Sequence, residues 1–255
     1  MNLTLARKIR GLFRRLGFDI QKIPRVTAIP DAEFYAPLFS PWRGYGDFNE
    51  YYRAVQSHSL VSEERCYVLF SLARQALALN GEFWECGVYK GGTAILFSKL
   101  LHEHGNGRGV RLRLFDTFDG MPETDAEKDR HRRGDFHDTS LETVRQRIPH
   151  ASFVEFHAGV IPQTFAGREN SRIAFAHVDV DIYHAVRDCC GFIYPRLLPG
   201  GFIVFDDYGF PSCPGARQAV DEFFHDKPEV PLVLPSGQAV VIAMPDKKFT
   251  TKMRW

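Results

Sequence analysis

The chain has 255 residues, enough for one large α/β domain with an N-terminal extension, and its 44% hydrophobic and 25% charged residues are typical of globular proteins. The formal net charge of +1 provides no general attraction to polyanions, so we expect no nucleic-acid partner. Five cysteines, odd in number and without the spacing of a local metal site, argue against a disulfide framework and favour a reducing compartment. We find no apolar run long enough to span a bilayer and no signal-peptide pattern, and therefore expect a cytoplasmic protein.

The first 25 residues predict a basic amphipathic helix. Its basic side chains are Arg7, Lys8, Arg10, Arg14, Arg15, Lys22 and Arg25. Its apolar stripe consists of Leu5, Ile9, Leu12, Phe13 and Leu16, which recur at helical spacing. Such a helix can pack on its own domain, on a second subunit, or on an anionic membrane surface at the inner membrane face. Residues 30–50 are rich in Pro, Gly and aromatic residues and are predicted to form an irregular cover segment. We therefore divide the chain into an extension, residues 1–50, and a main domain, residues 51–255.

The main domain alternates β-rich runs with helical segments. A helix is predicted over Glu63–Leu79, and strands over Glu82–Gly87, Val110–Asp116, Ser152–His157, Ile173–Asp179 and Gly201–Asp206. A terminal antiparallel hairpin is predicted over Leu232–Leu234 and Ala239–Met244, with Pro235-Ser236-Gly237 at its turn. This order predicts an α/β fold of Rossmann-like type, with a mostly parallel, doubly wound sheet.

A glycine-rich loop follows the first predicted strand and leads into a helix near Thr93. Its spacing, E-x-G-x-x-x-G-G from Glu85 through Gly87 and Gly91 to Gly92, matches neither the dinucleotide fingerprint nor a P-loop. A carboxylate before the first glycine would repel a pyrophosphate, but it suits the cationic amino end of S-adenosylmethionine. Tyr89 and Thr93 lie in the same stretch and join the candidate cofactor residues. The alternative is an ordinary strand-to-helix turn, in which glycines serve packing alone.

The next predicted strand ends in Asp116. An acid at the tip of the second strand of such a fold is well placed to accept hydrogen bonds from both ribose hydroxyls of an adenosine. The alternatives are a helix cap and a solvated strand end. Together with the glycine-rich loop, Asp116 favours an adenosine-containing ligand.

Four acids follow two later strands, as Asp179-Val180-Asp181 and Asp206-Asp207. Ligands of open α/β sheets bind beyond the carboxyl ends of the strands, so we expect these carboxylates to converge there. Carboxylates brought together repel one another unless a cation neutralises them, and an all-oxygen cluster suits Mg²⁺. The alternatives are that each acid caps the following helix, or that Asp179 and Asp181 form the D-x-D motif of a metal-dependent nucleotide-sugar glycosyltransferase. His177 lies before the strand end, which indicates a packed core histidine.

The segment from Gly120 to Ser140 is long for a connection within one domain, which predicts either a solvated excursion or a lid over the substrate. It carries His131, His137 and Asp138 among many charged residues. We expect His137 or Asp138 to lie near the acceptor if the segment is a lid.

Together these stretches resemble the macrocin O-methyltransferase (TylF-type) family. The resemblance is carried by residues 83–92, 114–122, 177–183, 194–197, 199–201, 206–209 and 214–220. It implies a class I methyltransferase fold, S-adenosylmethionine as methyl donor, and Mg²⁺ held by Asp179, Asp206 and Asp207, with Asp181 at the position of the general base. It further implies an oligomer and a small-molecule or glycan acceptor, namely a sugar hydroxyl of a glycosylated natural product. The basic N-terminal helix lies outside this resemblance and is weakly similar to extensions of methyltransferases associated with bacterial cell-surface polysaccharides, which adds a surface polysaccharide as an acceptor.

Overall fold

The computed structural model describes residues 9, 11–16, 18, 41–42, 46–105 and 110–245, which fall into two compact units, Met1–Ser40 and Pro41–Trp255. In the first unit, residues 11–15 are helical, and the exposed apolar side chains are Ile9, Leu12, Phe13, Leu16 and Phe18. Of the predicted basic face, Arg14 and Arg15 lie within the described residues and the other positions lie outside them. Among the described helices, none combines the length and hydropathy needed to cross a bilayer.

The second unit alternates helices and strands. Its helices are α1 (Phe48–Val55), α2 (Glu63–Ala76), α3 (Gly92–His104), α4 (Leu141–Arg147), α5 (Tyr183–Ile193) and α6 (Pro214–Phe224). Its strands are β1 (Glu82–Cys86), β2 (Leu112–Asp116), β3 (Val154–Ala158), β4 (Ile173–Val178), β5 (Leu197–Phe205), β6 (Leu232–Val233) and β7 (Ala239–Ile242). Short 3₁₀ turns lie at Ala151–Phe153, Gln163–Phe165 and Tyr194–Arg196.

The seven strands form one sheet in the order β3-β2-β1-β4-β5-β7-β6. Strands β1 to β5 pair in parallel, whereas β7 runs antiparallel to both β5 and β6. This arrangement confirms the predicted parallel sheet with a C-terminal antiparallel hairpin. The strand order reverses between β1 and β4, so the connections leaving these two strands turn to opposite faces and open a crevice at their carboxyl ends.

Two apolar layers cover the two faces of the sheet. Because side chains alternate along a strand, Phe83 packs with the layer that contains α1, α2 and α3, while Trp84 packs with the layer of α5 and α6. Phe83 stacks on Phe175 at 5.6 Å, and Trp84 lies 4.6 Å from Phe115 between ring centroids. Each such fully buried side chain stabilises the fold by about 1.5–3 kcal/mol, and together they make the sheet a rigid base for the crevice.

The structure corrects the element boundaries in several places. Residues 48–50, predicted to be irregular, begin α1, because Phe48, Tyr51 and Val55 form a helical stripe that is buried in the core. The α2 helix ends at Ala76 rather than Leu79, and β5 begins at Leu197, four residues earlier than predicted. The early start of β5 reflects the pairing of Leu197 with Ile173 on β4. The division at residue 50 stays a prediction.

Candidate active site

A cavity of about 380 Å³ opens at the carboxyl ends of the parallel strands, within the size range of small-molecule sites. The predicted site residues that line it are Gly87, Tyr89, Thr93, Asp116, Asp179, Asp181 and Asp207. The predicted residues that do not line it are Glu85, Gly91, Asp206, His137 and Asp138. Wall residues that sequence reasoning did not assign include His58–Val61, Arg65, Phe136, Gly159–Ile161 and Cys213.

Gly87 allows β1 and β4 to approach closely at the cavity floor. Its φ is +87°, and a Cβ added there would lie 1.7 Å from the carbonyl oxygen of Asp179. No side chain fits at that separation. The positive φ and the close carbonyl oxygen therefore each require glycine at this position. Gly91 also has a positive φ, +86°, and immediately precedes the first residue of α3. The loop thus brings the N-terminal end of a helix to the cavity.

Glu85 lies behind the glycine-rich loop and is fully buried. Its Oε1 is 3.1 Å from Nδ1 of His177, while its Oε2 has no hydrogen-bond partner among the described residues. Burial raises the pKa of Glu85, against the lowering influence of His177. An unpartnered buried carboxylate oxygen is costly unless a ligand satisfies it, and a cationic amino group would do so. Thr93, buried in the first turn of α3, lines the neighbouring cavity wall.

Asp116 holds the glycine-rich loop in place from the tip of β2. Its Oδ2 accepts hydrogen bonds from the backbone N–H groups of Val88 and Tyr89, at 2.6 and 2.9 Å. Its Oδ1 accepts one from the N–H of Phe118 at 2.6 Å. The hydroxyl of Thr117 also lies 3.4 Å from Oδ1, but its single hydrogen has a closer acceptor, the carbonyl of Gly120 at 2.6 Å. One of the about four acceptor positions of the carboxylate is therefore left for a ligand hydroxyl. The ribose contact stays a prediction, and loop positioning is a role that the sequence did not reveal.

Asp179, Asp181 and Asp207 face the same cavity from the ends of β4 and β5. Oδ2 of Asp207 accepts a hydrogen bond from the backbone N–H of Asp181 at 3.0 Å, which fixes Asp181 in a left-handed conformation with φ of +59°. Burial, followed by repulsion from the neighbouring acids, raises the pKa of Asp179 and Asp207 well above the ordinary value. Crowded carboxylates of this kind are relieved by a bound cation, and the all-oxygen donor set fits Mg²⁺.

Asp206 is engaged by three other side chains instead of lining the cavity. It is fully buried, forms an ion pair with Arg65, and its Oδ1 accepts a hydrogen bond from Gln238 at 2.8 Å. Nε2 of His177 lies 3.6 Å from the same oxygen. Burial acts to raise the pKa of Asp206, but His177 and Arg65 outweigh it and lower that pKa. The role of Asp206 as a metal ligand stays a prediction. Asp179 and Asp207, unlike Asp206, line the cavity.

His177 is fully buried, which confirms the core position expected for it. It stands between Glu85 and Asp206 and packs edge-on against Phe97 at 6.0 Å between ring centroids. Burial alone would lower the pKa of His177, yet the neighbouring carboxylates of Asp206 and Glu85 raise that pKa to about 10. His177 therefore links the glycine-rich loop to the acids of β4 and β5.

The segment from Gly120 to Ser140 covers one side of the cavity. Asp129 anchors it by accepting a hydrogen bond at Oδ1 from the backbone N–H of Tyr183 at 2.8 Å. Asp138 pairs with Lys90 and accepts a hydrogen bond from the hydroxyl of Tyr89, and exposed His137 points its Nδ1 at the carbonyl of Gly134. Since neither residue lines the cavity, their contact with an acceptor stays a prediction. The side chains of this segment that line the cavity are Met121, Pro122, Glu123, His131, Phe136 and Thr139.

The chain matches known proteins over most of this unit. The macrocin-O-methyltransferase (TylF) family matches residues 52–232. A 32% identical relative from Streptomyces olivaceus is an 8-demethyl-8-(2,3-dimethoxy-alpha-L-rhamnosyl)-tetracenomycin-C 4'-O-methyltransferase; the match covers 66% of this chain and 67% of the relative. A second relative, 31% identical, is the mycinamicin III 3''-O-methyltransferase of Micromonospora griseorubida, with 66% of this chain and 70% of the relative covered.

Solved structures share the same architecture. The O-methyltransferase NovP superposes with a TM-score of 0.66 and 25% identity, covering 73% of this chain and 82% of NovP. TomG from Streptomyces achromogenes, crystallised with S-adenosylmethionine, gives a TM-score of 0.53 at 16% identity, covering 84% of this chain and 95% of TomG, which supports the fold alone. These comparisons offer no support for the glycosyltransferase alternative. The chain belongs to the macrocin-O-methyltransferase (TylF) family and is a methyltransferase with the class I fold.

Proposed function

We propose that this enzyme transfers the methyl group of S-adenosylmethionine to a sugar hydroxyl of a glycosylated small molecule or surface polysaccharide, with Mg²⁺ at the acidic cluster. The observation that carries the proposal is that one cavity is lined by both the glycine-rich loop and the acids Asp179, Asp181 and Asp207. A donor site and an acid cluster in the same cavity are what a metal-assisted transfer to a hydroxyl requires.

The methyl donor fits the loop side of the cavity. Thr93 lines the cavity and would bond the donor's carboxylate. Glu85 lies behind the loop and not in the cavity lining, and its Oε2, without a described partner, is the acceptor we propose for the donor's amino group. Asp116, which lines the cavity, has an acceptor position left for a ribose hydroxyl. Binding both ends of the donor fixes the direction of its methyl group, and such orientation is a large part of the rate advantage in group transfer.

The metal fits the acidic side. Asp179 and Asp207 would hold it, since both line the cavity. Asp206 would either stay paired with Arg65 behind them or turn its side chain from Arg65 towards the metal. When bound, Mg²⁺ supplies positive charge that lowers the pKa of the acceptor hydroxyl, help worth several kcal/mol in comparable sites.

Asp181 is the proposed general base. Its left-handed backbone and the hydrogen bond from its N–H to Asp207 hold it in the cavity wall. Burial raises the pKa of Asp181 above the ordinary value, which makes its carboxylate a stronger proton acceptor. In the proposed step the acceptor hydroxyl would give its proton to Asp181 as its oxygen forms a bond to the methyl carbon. The bond from that carbon to the donor's sulfur would break at the same time, which leaves S-adenosylhomocysteine. Phe136 and Met121 line the cavity and would restrict water around that oxygen.

The relatives favour a sugar acceptor. The Streptomyces olivaceus relative acts on a rhamnosyl tetracenomycin and the Micromonospora griseorubida relative on mycinamicin III. Neighbouring sugar hydroxyls are suitable partners for a metal held by carboxylates, since Mg²⁺ takes oxygen ligands and few of its positions are filled by the protein. Assembly into an oligomer, and contact of residues 1–25 with a second protein surface or an anionic membrane, stay proposals.

Metal removal tests the proposal. Stripping divalent cations should lower kcat for transfer to a rhamnoside acceptor by at least about 10²-fold, and added Mg²⁺ should restore it. Asp207→Asn should reproduce the loss in the presence of Mg²⁺, since an amide keeps the shape but not the charge. Calorimetry of S-adenosylhomocysteine should show donor-site binding retained in every case. Full transfer by metal-free enzyme would disprove the metal part of the proposal.

A further inference from the structure

His131, Asp181 and Cys213 meet in the cavity wall from three separate parts of the chain. Nε2 of His131 lies 3.6 Å from Oδ1 of Asp181, and Sγ of Cys213 lies 3.3 Å from the same oxygen. Sγ of Cys213 is also 3.6 Å from Nε2 of His131. These three residues form the His–Asp–Cys cluster, and all of them border the cavity.

The three separations match the edges of a tetrahedral metal site. Zinc binds nitrogen at about 2.0–2.1 Å, oxygen at about 2.0–2.2 Å and thiolate sulfur at about 2.3 Å, which places tetrahedral ligand atoms about 3.4–3.6 Å apart. The observed distances of 3.6, 3.3 and 3.6 Å differ from these values by no more than a few tenths of an ångström. The cluster therefore has the dimensions of one face of a tetrahedral site, and it borders the cavity.

The histidine is held in the orientation that metal binding needs. Oδ2 of Asp135 lies 3.2 Å from Nδ1 of His131, and the same oxygen accepts a hydrogen bond from the backbone N–H of Arg132 at 3.0 Å. A carboxylate on one ring nitrogen fixes the proton there and leaves the other nitrogen free to bind a metal. Asp135 thus orients Nε2 of His131 towards Asp181 and Cys213.

The donor set selects a different cation from the acids nearby. Thiolate and imidazole ligands favour Zn²⁺ and related soft cations, whereas carboxylate-only sites favour Mg²⁺. Burial raises the pKa of the Cys213 thiol, which in the metal-free protein donates its hydrogen to Asp181. Binding of a cation would release that proton to solvent as the sulfur becomes a ligand.

We propose that the His–Asp–Cys cluster is a second, thiophilic cation site that binds Zn²⁺ through His131, Asp181 and Cys213. Its effect on activity rests on the proposed function, in which Asp181 is the general base. A cation bound to Oδ1 of Asp181 takes up the oxygen that would accept the proton. Zn²⁺ then inhibits methyl transfer in the presence of saturating Mg²⁺.

Co²⁺ titration of the full chain, saturated with Mg²⁺, tests the site by a readout separate from activity. A thiolate-to-cobalt charge-transfer band in the near ultraviolet should appear at one equivalent and disappear on addition of Zn²⁺. Cys213→Ser should abolish the band, and His131→Gln should weaken Co²⁺ binding. Asp135→Asn should weaken it about 10–100-fold through loss of the orienting contact. His184→Gln, which changes another histidine of the cavity wall, should leave the titration unchanged.

Asp207→Asn separates this proposal from the Mg²⁺ proposal. The variant should retain the cobalt–thiolate band even though it loses Mg²⁺-dependent transfer. Absence of a thiolate band, its persistence in Cys213→Ser, or its loss in Asp207→Asn would each overturn a separate site at the cluster. Circular dichroism tests whether each variant is folded. If Cys213→Ser does not fold, the proposal is judged by His131→Gln, which should bind Co²⁺ more weakly than the unchanged protein.

Discussion

Asp181→Asn should lower kcat for methyl transfer by about 10²–10⁴-fold, the usual contribution of a positioned general base. The substitution removes the charge but preserves the local structure. Asn tolerates the left-handed backbone observed at this position, where φ is +59°, and its amide oxygen can still accept a hydrogen bond from Cys213. Steady-state kinetics with a rhamnoside acceptor, beside calorimetry of S-adenosylhomocysteine, measures the effect.

The donor affinity of Asp181→Asn should remain that of the unchanged enzyme, because Asp181 lies on the acid side of the cavity. Asp188→Asn, on α5 and paired with Arg187, is the matched control and should leave kcat unaltered. A kcat close to that of the unchanged enzyme in a folded Asp181→Asn protein would assign the base to another residue.

Gly87→Ala should abolish detectable donor binding and lower the free energy of unfolding by more than about 1–3 kcal/mol, because a steric clash adds to the usual cost of a strained backbone position. A methyl group there meets the carbonyl of Asp179 at 1.7 Å, so the ends of β1 and β4 must separate. That movement displaces Val88 and Tyr89, the residues whose N–H groups bond to Asp116. Calorimetry of S-adenosylhomocysteine and denaturant unfolding measure the two effects.

Gly134→Ala isolates the contribution of backbone strain. Its φ of +85° is close to that of Gly87, yet no atom lies within 4 Å of an added Cβ. Gly134→Ala should therefore lower the free energy of unfolding by about 1–2 kcal/mol, because of the left-handed conformation alone, and leave donor affinity unchanged. Equal donor affinities for Gly87→Ala and the unchanged enzyme would show that the close approach of β1 to β4 is not needed for binding.

The convergence of Asp179, Asp181 and Asp207 could be predicted because it follows from topology. Parallel strands end at one edge of the sheet, so acids placed just after β4 and β5 must lie close together. The same reasoning located Gly87 and Asp116 beside the cavity. The position of a residue in the sequence was therefore enough to place it at the cavity where it directly follows a regular strand.

Adjacent residues and distant partners were harder to predict. Asp206 and Asp207 are neighbours, and only the pairing of Asp206 with Arg65 and Gln238 shows which of them faces the cavity. His131 and Cys213 lie far apart in sequence, so no local spacing could reveal that their side chains lie 3.6 Å apart.

The irregular segment over the cavity was the least predictable part. Its length indicated a lid, but it has no periodicity from which the orientation of a side chain could be inferred. His137 and Asp138 were favoured as acceptor contacts, whereas the structure turns His131 and Phe136 towards the cavity. The contacts that decide this, from Asp129 to α5 and from Asp138 to the glycine-rich loop, are tertiary.

Transfer of a labelled methyl group to a matched pair of acceptors tests the central claim most directly. One acceptor is a rhamnoside with neighbouring hydroxyls, and the other is the same rhamnoside with one of those hydroxyls removed. With S-adenosylmethionine and Mg²⁺, label should enter the sugar of the first acceptor and be nearly absent from the second, because the metal needs both oxygens to activate one of them. Equal labelling of both acceptors, or labelling that is independent of Mg²⁺, would contradict a metal-assisted sugar O-methyltransferase.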